Sequence, residues 1–489
     1  MPDPKKQKRY FLDPFGCVKN QVDAENMMAL LNKAGWENSS DAESADLIII
    51  NSCGFIESAK QESINAVLEW RKIYPEKKIL LAGCLSQRYA KELAESLTEA
   101  DAFMGTEDIS QIVNTVNSVF TNDTSQLTDN GKPCLCGNQE IQTELVNLPF
   151  GERPLLSLPG SAYVKISEGC NNRCSYCAIP LIRGNLVSRS IPDIVDECKA
   201  LLKRGIAELC IIGQDLGAFG TDNKEQANFV CAIKSESLLP ELLNEISKLK
   251  GDFWVRLLYI HPDHFPLQIL NIMERDKRIL PYFDIPFQHA SAKILAAMNR
   301  NGKAENYLSL LETIRTRLPN AVIRSTFLLG FPGETEEDFS ALLDFQQKAE
   351  LDWLGCFTFS REEGTAAYSM KGRVPAKTAL LRKQIIEERQ APITEKKMER
   401  FTGQNLDVLI EERLEAKVKT GREEDGEGFL LGRLYCQAPD IDGSAVIVQI
   451  RFENSVCAGG ENDKEKLRLG ELIKCKVIAR CGFDLEVKI

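Results

Sequence analysis

The strongest indication of fold and function in this chain is a short loop with three cysteines, Cys170-Asn-Asn-Arg-Cys174-Ser-Tyr-Cys177. It comes just after the apolar run Ala162–Ile166, which predicts a β-strand, so the three thiols share one short loop. Three cysteines at this spacing can wrap one inorganic cluster and leave one of its metal positions open for chemistry. A structural zinc site needs a fourth ligand, and none is obvious nearby. Three unrelated thiols, or a zinc site completed from a distant part of the chain, are the alternatives.

A second set of cysteines is spread over the first 120 residues, where predicted strands and helices alternate. Cys17, Cys53 and Cys84 each follow a predicted strand, one per strand–helix unit. The carboxyl ends of parallel strands converge on one crevice, so three thiols distant in sequence can meet there. The pattern therefore predicts a second three-thiolate cluster. Free cysteines are also common as small buried apolar residues, and that alternative fits three others better: Cys198, Cys210 and Cys231.

Composition indicates a globular protein with reduced thiols. The chain has 489 residues, 43% of them hydrophobic and 27% charged, with 16 cysteines and 3 histidines. It shows neither an export signal nor an apolar run long enough to span a bilayer, so we expect a cytoplasmic protein whose cysteines do not form disulfides. The net charge of -11 gives no overall electrostatic indication of nucleic-acid binding.

The pattern of elements predicts an α/β protein in several parts. Residues 8–120 are expected to form a parallel-sheet domain that carries the cysteines of the second set. Residues 121–155 read as a linker or insertion, in which the role of Cys134 and Cys136 is open. Residues 156–397 continue the strand–helix alternation at a length that suits a parallel part-barrel. Residues 402–489 alternate with period two between glycine turns, which predicts a small antiparallel β-barrel.

The cysteine loop also carries a family resemblance. Cys-x3-Cys-x2-Cys, with Tyr176 before the last cysteine, resembles the signature of the radical S-adenosylmethionine (SAM) enzymes. The resemblance implies a [4Fe-4S] cluster on Cys170, Cys174 and Cys177 whose open iron chelates SAM. One electron from that cluster would cleave SAM to methionine and a 5′-deoxyadenosyl radical.

Nearly the whole chain resembles the methylthiotransferases of that superfamily. These enzymes have an N-terminal domain with three cysteines, a radical-SAM part-barrel and a C-terminal, OB-like TRAM domain. The resemblance implies two [4Fe-4S] clusters, the second on Cys17, Cys53 and Cys84 and taking part in sulfur delivery. It also implies SAM as both methyl donor and radical source, and an electron donor such as flavodoxin or ferredoxin.

The substrate separates the branches of this family. Phe15-Gly-Cys-Val-Lys-Asn-Gln-Val-Asp-Ala-Glu25 and Gly432-Arg-Leu-Tyr-Cys-Gln-Ala-Pro-Asp-Ile-Asp-Gly443 resemble the branch that modifies the β-carbon of an aspartate in a small-subunit ribosomal protein, the twelfth. Residues 402–489 hold 13 basic and 17 acidic side chains, a net charge of −4, which suits a basic protein partner better than RNA phosphates. A tRNA 2-methylthio-adenosine synthase is the alternative. From another class, a non-catalytic iron–sulfur or zinc scaffold could bind RNA through the C-terminal barrel.

The family resemblance and the strand ends together give the expected contacts to SAM. Tyr176 belongs to the cysteine motif, while Gln214, Gly330 and Gly333 lie in Gly213-Gln214-Asp215 and Gly330-Phe-Pro-Gly333, which each end a predicted strand. The resemblance implies that the second stretch lines the SAM pocket. An ordinary Pro-Gly turn is the alternative for the second stretch. His289 is more readily explained as a structural histidine than as a catalytic one. We therefore predict no catalytic residue beyond the cluster ligands.

Overall fold

The computed structural model describes residues 7–121, 153–222, 236–415, 428–448 and 467–489, together with the backbone of 134–135. Within these residues the chain forms two parallel sheets and one closed barrel, so the predicted fold class is confirmed. Most of the predicted linker 121–155 lies outside the described residues, as do Cys136 and Cys231, while Cys134 begins a two-residue strand. Among the described helices none is both long and apolar enough to cross a membrane.

The N-terminal sheet is parallel throughout. Its strands are β1 (Arg9–Pro14), β2 (Glu37–Asn38), β3 (Leu47–Ser52), β4 (Lys78–Gly83), β5 (Ala102–Met104) and β6 (Cys134–Leu135), and its helices are α1 (Val18–Lys33), α2 (Glu57–Ile73), α3 (Cys84–Ser96) and α4 (Ile112–Thr121). The strand order is β2-β1-β3-β4-β5-β6. Strand β3 is buried along its whole length because helices cover both faces of the sheet.

The central sheet is an open, parallel part-barrel. Its main strands are β7 (Ser161–Lys165), β10 (Glu208–Ile212), β11 (Trp254–Leu257), β12 (Ile279–Asp284), β13 (Val322–Leu329) and β14 (Trp353–Thr358), and the short strands β8 (Ser167–Glu168) and β9 (Val187–Ser188) pair with each other. The helices are α5 (Ile179–Ile182), α6 (Ile191–Lys203), α7 (Leu239–Ser247), α8 (Gln268–Arg275), α9 (Ala292–Ala297), α10 (Ala304–Arg317), α11 (Glu336–Ala349) and α12 (Ala376–Glu399). The order β14-β13-β12-β11-β10-β7 puts β14 and β7 at the two edges of the sheet.

The C-terminal unit is a closed five-stranded barrel. Its strands are β15 (Asn405–Glu415), β16 (Gly428–Leu434), β17 (Ala445–Ile447), β18 (Leu472–Cys481) and β19 (Asp484–Lys488). All neighbouring pairs are antiparallel except β17 and β19, which run parallel. The predicted small antiparallel barrel is therefore confirmed, and one parallel pair, β17 with β19, completes it. Period-two alternation shows which face of a strand is buried, but it carries no information on strand direction.

The C-terminal barrel covers the inner face of the central sheet. Apolar side chains of both, such as Tyr282 of β12 and Leu434 of β16, form one buried cluster. The Tyr282 hydroxyl donates to Asp442 Oδ2 at 2.6 Å, and the Trp353 indole donates to the Cys436 carbonyl at 2.7 Å. The barrel therefore closes the side of the sheet that the outer helices leave open.

Buried ion pairs stabilise the junction between the central sheet and the C-terminal barrel. Glu208 of β10 is fully buried and pairs with Arg256 Nε at 2.7 Å and with Arg433 of the barrel. Arg433 also pairs with Glu411 at 2.7 Å, and Arg256 donates to the Tyr435 carbonyl at 2.9 Å. Burial alone would raise the pKa of Glu208, but Arg433 and Arg256 lower it far below its ordinary value. The carboxylate stays ionised because two guanidinium groups share it.

We predict that Glu208→Gln destabilises the chain by about 3–5 kcal/mol, because it leaves two buried guanidinium groups without their shared carboxylate. Urea unfolding followed by circular dichroism measures the effect. The matched control is Asp407→Asn, which removes the exposed partner of Lys474 and should cost less than about 1 kcal/mol. Equal unfolding midpoints for the two variants would contradict a structural role for the network.

Candidate active site between the two sets of cysteines

The cysteines of the second set follow three neighbouring strands of the N-terminal sheet. Cys17 lies after β1, Cys53 directly after β3, and Cys84 directly after β4 at the first position of α3. Close packing holds these loops together. A Cβ atom added at Gly16 would lie 3.1 Å from the Cβ of Cys53, and one at Gly54 would lie 2.6 Å from the carbonyl oxygen of Cys84. The convergence that parallel strand ends predict is therefore present in the backbone.

The thiols of this set differ in exposure. Cys17 is exposed, Cys53 is half-buried and Cys84 is buried. Burial raises the pKa of Cys84 to about 12 and that of Cys53 above its ordinary value, while the nearby Arg183 lowers both. Cys84 and Cys53 are thus neutral thiols when no metal is bound, and a metal that takes them as thiolates would displace their protons.

Arg183 joins this set to the central sheet. It follows α5, and its guanidinium contacts Asp23 Oδ2 at 2.7 Å, Asn20 Oδ1 at 2.6 Å and Cys84 Sγ at 3.5 Å. Its other terminal nitrogen lies 3.0 Å from Glu168 Oε2. All of these partners are buried, so the guanidinium bridges α1, α3 and β8 out of contact with water.

A second cation completes the charge balance. Lys165, at the end of β7, pairs with both Asp23 and Glu168. Burial would raise the pKa of Glu168, but Lys165 and Arg183 lower it to about 2. Two cations and two carboxylates therefore neutralise each other at the junction of the two units, as buried charges require.

The first set of cysteines lies in a tightly held loop. The Cys170 amide donates to the Gly184 carbonyl at 3.2 Å, and the Cys177 amide donates to the Cys174 carbonyl at 3.0 Å. Gly169 has φ +66, and a Cβ there would come within 1.9 Å of the Asn185 carbonyl oxygen, so only glycine fits. Burial raises the pKa of both Cys170 and Cys177 to about 12.

A small apolar cluster connects the loop of the first set to the second set. Ala178, the residue after Cys177, belongs to the same buried cluster as Cys84, with Ile182 and Phe55 packed beside them. The loop of the first set is therefore a neighbour of the second set.

Asp215 anchors the cysteine loop to the sheet. Its carboxylate accepts hydrogen bonds from the Asn172 side chain at 2.9 Å, from the amides of Gly217 and His261, and lies 2.9 Å from His264 Nδ1. Burial would raise the pKa of Asp215, but these hydrogen bonds lower it, so the buried carboxylate keeps its negative charge without a ligand. Its neighbour Gln214, a predicted contact of SAM, is half-buried at the carboxyl end of β10.

The other predicted SAM contacts are Tyr176 within the cysteine loop and Gly330 and Gly333 after β13. The Tyr176 ring packs against a buried apolar cluster that includes Met298 and Phe331, and its hydroxyl accepts a hydrogen bond from Arg300 at 3.3 Å. Gly330 has a packing reason for its lack of a side chain, since a Cβ there would come within 2.5 Å of the Cβ of Ala379. Gly333 has open space where a Cβ would stand.

His289 fits the structural interpretation. It is fully buried, and its Nδ1 accepts a hydrogen bond from the Ser291 amide at 3.0 Å. Its Nε2 lies 3.8 Å from Glu334 Oε2, whose other contacts are the amides of Gly330 and Phe331. Burial lowers the pKa of His289 to about 4, so the ring is neutral at physiological pH.

A single metal ion needs several ligand side chains grouped together. In the described ranges of the chain no three His, Cys, Asp or Glu side chains are grouped so that they could hold one metal ion. That finding gives no support to the zinc alternative, which needs its ligands around one point. Each thiolate of an iron–sulfur cluster binds a different iron, so its ligands need not converge on one point. The assignment of the six cysteines as ligands stays a prediction.

Sequence reasoning assigned no role to the charged residues between the sets. Asp23 belongs to the stretch Phe15–Glu25 that carried the family resemblance, and Lys165, Glu168 and Arg183 flank the cysteine loop in sequence. The signal that could have found them is a charge inside an apolar run. Arg183 follows Ile179-Pro-Leu-Ile182 and Lys165 ends a buried strand, and a charge in such a place requires a partner.

Three families match successive parts of the chain. Residues 9–105 match the uncharacterized protein family UPF0004, residues 164–345 match the radical SAM superfamily, and residues 402–489 match the TRAM domain. Among solved structures, the radical S-adenosylmethionine methyltransferase TsrM from Kitasatospora setae, with cobalamin and a [4Fe-4S] cluster bound, is similar with a TM-score of 0.53. The match covers 74% of each chain at 14% identity, which supports the fold alone.

Relatives of known name match over nearly the full length. The ribosomal protein uS12 methylthiotransferase RimO of Treponema denticola is 47% identical over 97% of this chain and 99% of its own. Proteins of the same name match from two further organisms. That of Syntrophomonas wolfei is 40% identical over 88% of this chain and 92% of its own, and that of Acetivibrio thermocellus is 37% identical over 98% of each. The chain therefore belongs to the RimO family of ribosomal protein uS12 methylthiotransferases.

Proposed function

We propose that this chain is a radical-SAM methylthiotransferase that adds a methylthio group to the β-carbon of an aspartate in the twelfth protein of the small ribosomal subunit. The observation that carries the proposal is the packing of Ala178, next to Cys177 of the first set, in one buried cluster with Cys84 of the second, beside Arg183, which lies 3.5 Å from Cys84 Sγ. The names of the full-length relatives favour the ribosomal protein over a tRNA adenosine.

The cysteines would hold two [4Fe-4S] clusters. Cys170, Cys174 and Cys177 would bind the cluster that meets SAM, and Cys17, Cys53 and Cys84 the cluster that takes part in sulfur delivery. When bound, these groups supply the electron that cleaves SAM to methionine and a 5′-deoxyadenosyl radical, and the sulfur that is transferred. Residues 8–120 would contribute the sulfur-delivering site and residues 156–397 the radical-generating one.

The protein's own side chains would bind and shield the reactants. The apolar layer around Cys84 and Ile182 excludes water, which protects a radical from side reactions. Arg183 places a positive charge beside thiols that become negative when they bind metal. Tyr176, Gln214, Gly330 and Gly333 are proposed as the walls of the SAM site, with the Tyr176 hydroxyl oriented by Arg300.

The partners follow from charge and chemistry. The acidic C-terminal barrel suits a basic ribosomal protein, and nucleic acid is not proposed as the substrate. A small electron carrier such as flavodoxin or ferredoxin would reduce the first cluster. A ribosomal substrate places the reaction in the cytoplasm.

Mass spectrometry tests the substrate. We expect that a strain lacking this gene loses the methylthio mass from an aspartate of the small-subunit ribosomal protein, while methylthio-adenosine in tRNA is unchanged. Complementation with the wild-type gene should restore the mass. Loss of the modification from tRNA alone would contradict the proposal and favour the tRNA alternative.

Iron analysis tests the two ligand sets. Anaerobically prepared protein should hold about eight irons per chain, two clusters of four. Replacing Cys170, Cys174 and Cys177 by alanine should remove about half of the iron and abolish 5′-deoxyadenosine formation. Replacing Cys17, Cys53 and Cys84 should remove the other half and leave SAM cleavage in place. The control is Cys481→Ala, an exposed thiol that should change neither quantity, and four irons in the wild type would refute the second site.

Thiol labelling tests the buried environment of Cys84. In metal-free protein at pH 8, we expect iodoacetamide to label Cys84 about a hundredfold or more slowly than the exposed Cys481, because the thiolate is the nucleophile and burial raises the pKa of Cys84 to about 12. Since the thiolate fraction grows tenfold per pH unit below the pKa, the rate at Cys84 should still rise between pH 8 and pH 10. Similar rates at the two thiols, measured by peptide mass spectrometry, would show that Cys84 is not shielded.

A further inference from the structure

Lys19 is a buried cation beside the second set of cysteines. It lies in the first turn of α1, two residues after Cys17, and is 6% exposed. Its ammonium group lies 3.2 Å from the centre of the Tyr259 ring, which follows β11 in the central sheet. The side chain therefore spans from the sulfur-delivering site to the carboxyl ends of the central strands.

The other cations at this junction have carboxylate partners. Arg183 pairs with Asp23 and Glu168, Lys165 pairs with the same two, and Arg324 pairs with Asp284 at 3.0 Å. Within the ranges that the structure describes, the Lys19 ammonium makes no hydrogen bond or ion pair, only the contact with the Tyr259 ring. An ammonium group has three N–H donors, and a single aromatic face does not fill them.

Tyr259 is held in an unusual conformation that brings its ring to Lys19. Its φ is +72, in the left-handed region that residues other than glycine rarely adopt. The Leu216 amide donates to its carbonyl at 3.0 Å, and the next amide, that of Ile260, donates to the Asp284 carbonyl at 2.9 Å. Strained backbone of this kind concentrates where a binding site needs a particular geometry.

We propose that Lys19 binds the side-chain carboxylate of the substrate aspartate. The inference rests on the proposed function, because it takes an aspartate as the residue that is modified. The carboxyl carbon is bonded directly to the β-carbon that receives sulfur, so a cation next to Cys17 is in place to hold it. Lys19 would thereby distinguish aspartate from its neutral amide, asparagine, and orient the reacting carbon toward the second cluster.

The charges around the position fit one additional anion. Asp284 is buried nearby, and its Oδ2 atom has no hydrogen-bond partner among the described residues. Its ion pair is with Arg324 at 3.0 Å, a cation that also lies 3.7 Å from Asp442, while no described carboxylate lies within ion-pair distance of the Lys19 ammonium, whose donors remain for a ligand. A carboxylate between Lys19 and the end of β12 would have a cation to offset its loss of water.

Two other roles for Lys19 make different predictions. A cation beside Cys17 could serve only to balance the charge of the second cluster, or it could bind the carboxylate of SAM. Neither role would depend on whether the peptide carries aspartate or asparagine. A comparison of the affinities for an aspartate peptide and an asparagine peptide therefore distinguishes these two roles from the proposed one.

The experiment uses holoenzyme with both clusters and a synthetic peptide that spans the modified aspartate, together with its asparagine counterpart. We expect wild-type protein to bind the aspartate peptide at least tenfold more tightly. Lys19→Met keeps the apolar stem and removes the charge, and it should bind both peptides within about twofold of each other. Lys474→Met, which removes an exposed lysine, is the control and should keep the wild-type preference.

Each outcome decides the proposal. Iron content and peptide-independent SAM cleavage should match the wild type in Lys19→Met, and a loss of iron would assign Lys19 to the cluster instead. An equal loss of affinity for both peptides would also overturn the proposal, as would a wild type that does not discriminate between them. Failure of the proposed function is distinct, because wild-type protein would then add no methylthio group to the aspartate peptide.

Discussion

The buried ion pairs around Arg183 are the interaction on which the rest of the site depends. One guanidinium contacts helices and strands of two separate units and touches a thiol of the second set of cysteines. Removing a single charge from such a group leaves the others buried and unpaired, which costs more than the ion pair itself contributes. The relative position of the two sets is therefore determined by electrostatics, while the apolar layer at Ala178 and Cys84 fills the space between them.

A second buried network of ion pairs attaches the C-terminal barrel to the central sheet. An open parallel sheet exposes one face, and here the C-terminal barrel covers it through Glu208, Arg256 and Arg433. The barrel thus has a structural role in addition to any role in substrate binding. Glu362 makes a similar link at the other end, where it pairs with Lys60 at 3.1 Å and Arg88 at 2.7 Å of the N-terminal unit.

Local patterns predicted the fold class and the placement of the cysteines, because strand–helix alternation and strand ends are encoded within short windows. The sequence alone predicts that Cys53 and Cys84 lie close together, since neighbouring parallel strands end on the same side of the sheet. The pairing of Arg183 with Asp23 could not be predicted in this way, because 160 residues separate them and no short window contains both. The parallel direction of β17 beside β19 is also outside what the sequence pattern shows, because period-two alternation carries no information on strand direction. The close approach of Gly330 to Ala379 is likewise outside any short window, because the two residues lie in different elements that meet only in the folded chain.

The network at Glu208 has a consequence for how the protein is made. Arg433 is synthesised 225 residues after Glu208. During synthesis the Glu208 carboxylate therefore lacks its ion pair with the barrel. Until then the inner face of the central sheet, with its buried aromatic and charged side chains, has no cover and is open to misassembly. The sheet can complete its packing only after the barrel has been translated. Metal that binds before that point would bind a central sheet whose inner face is not yet covered.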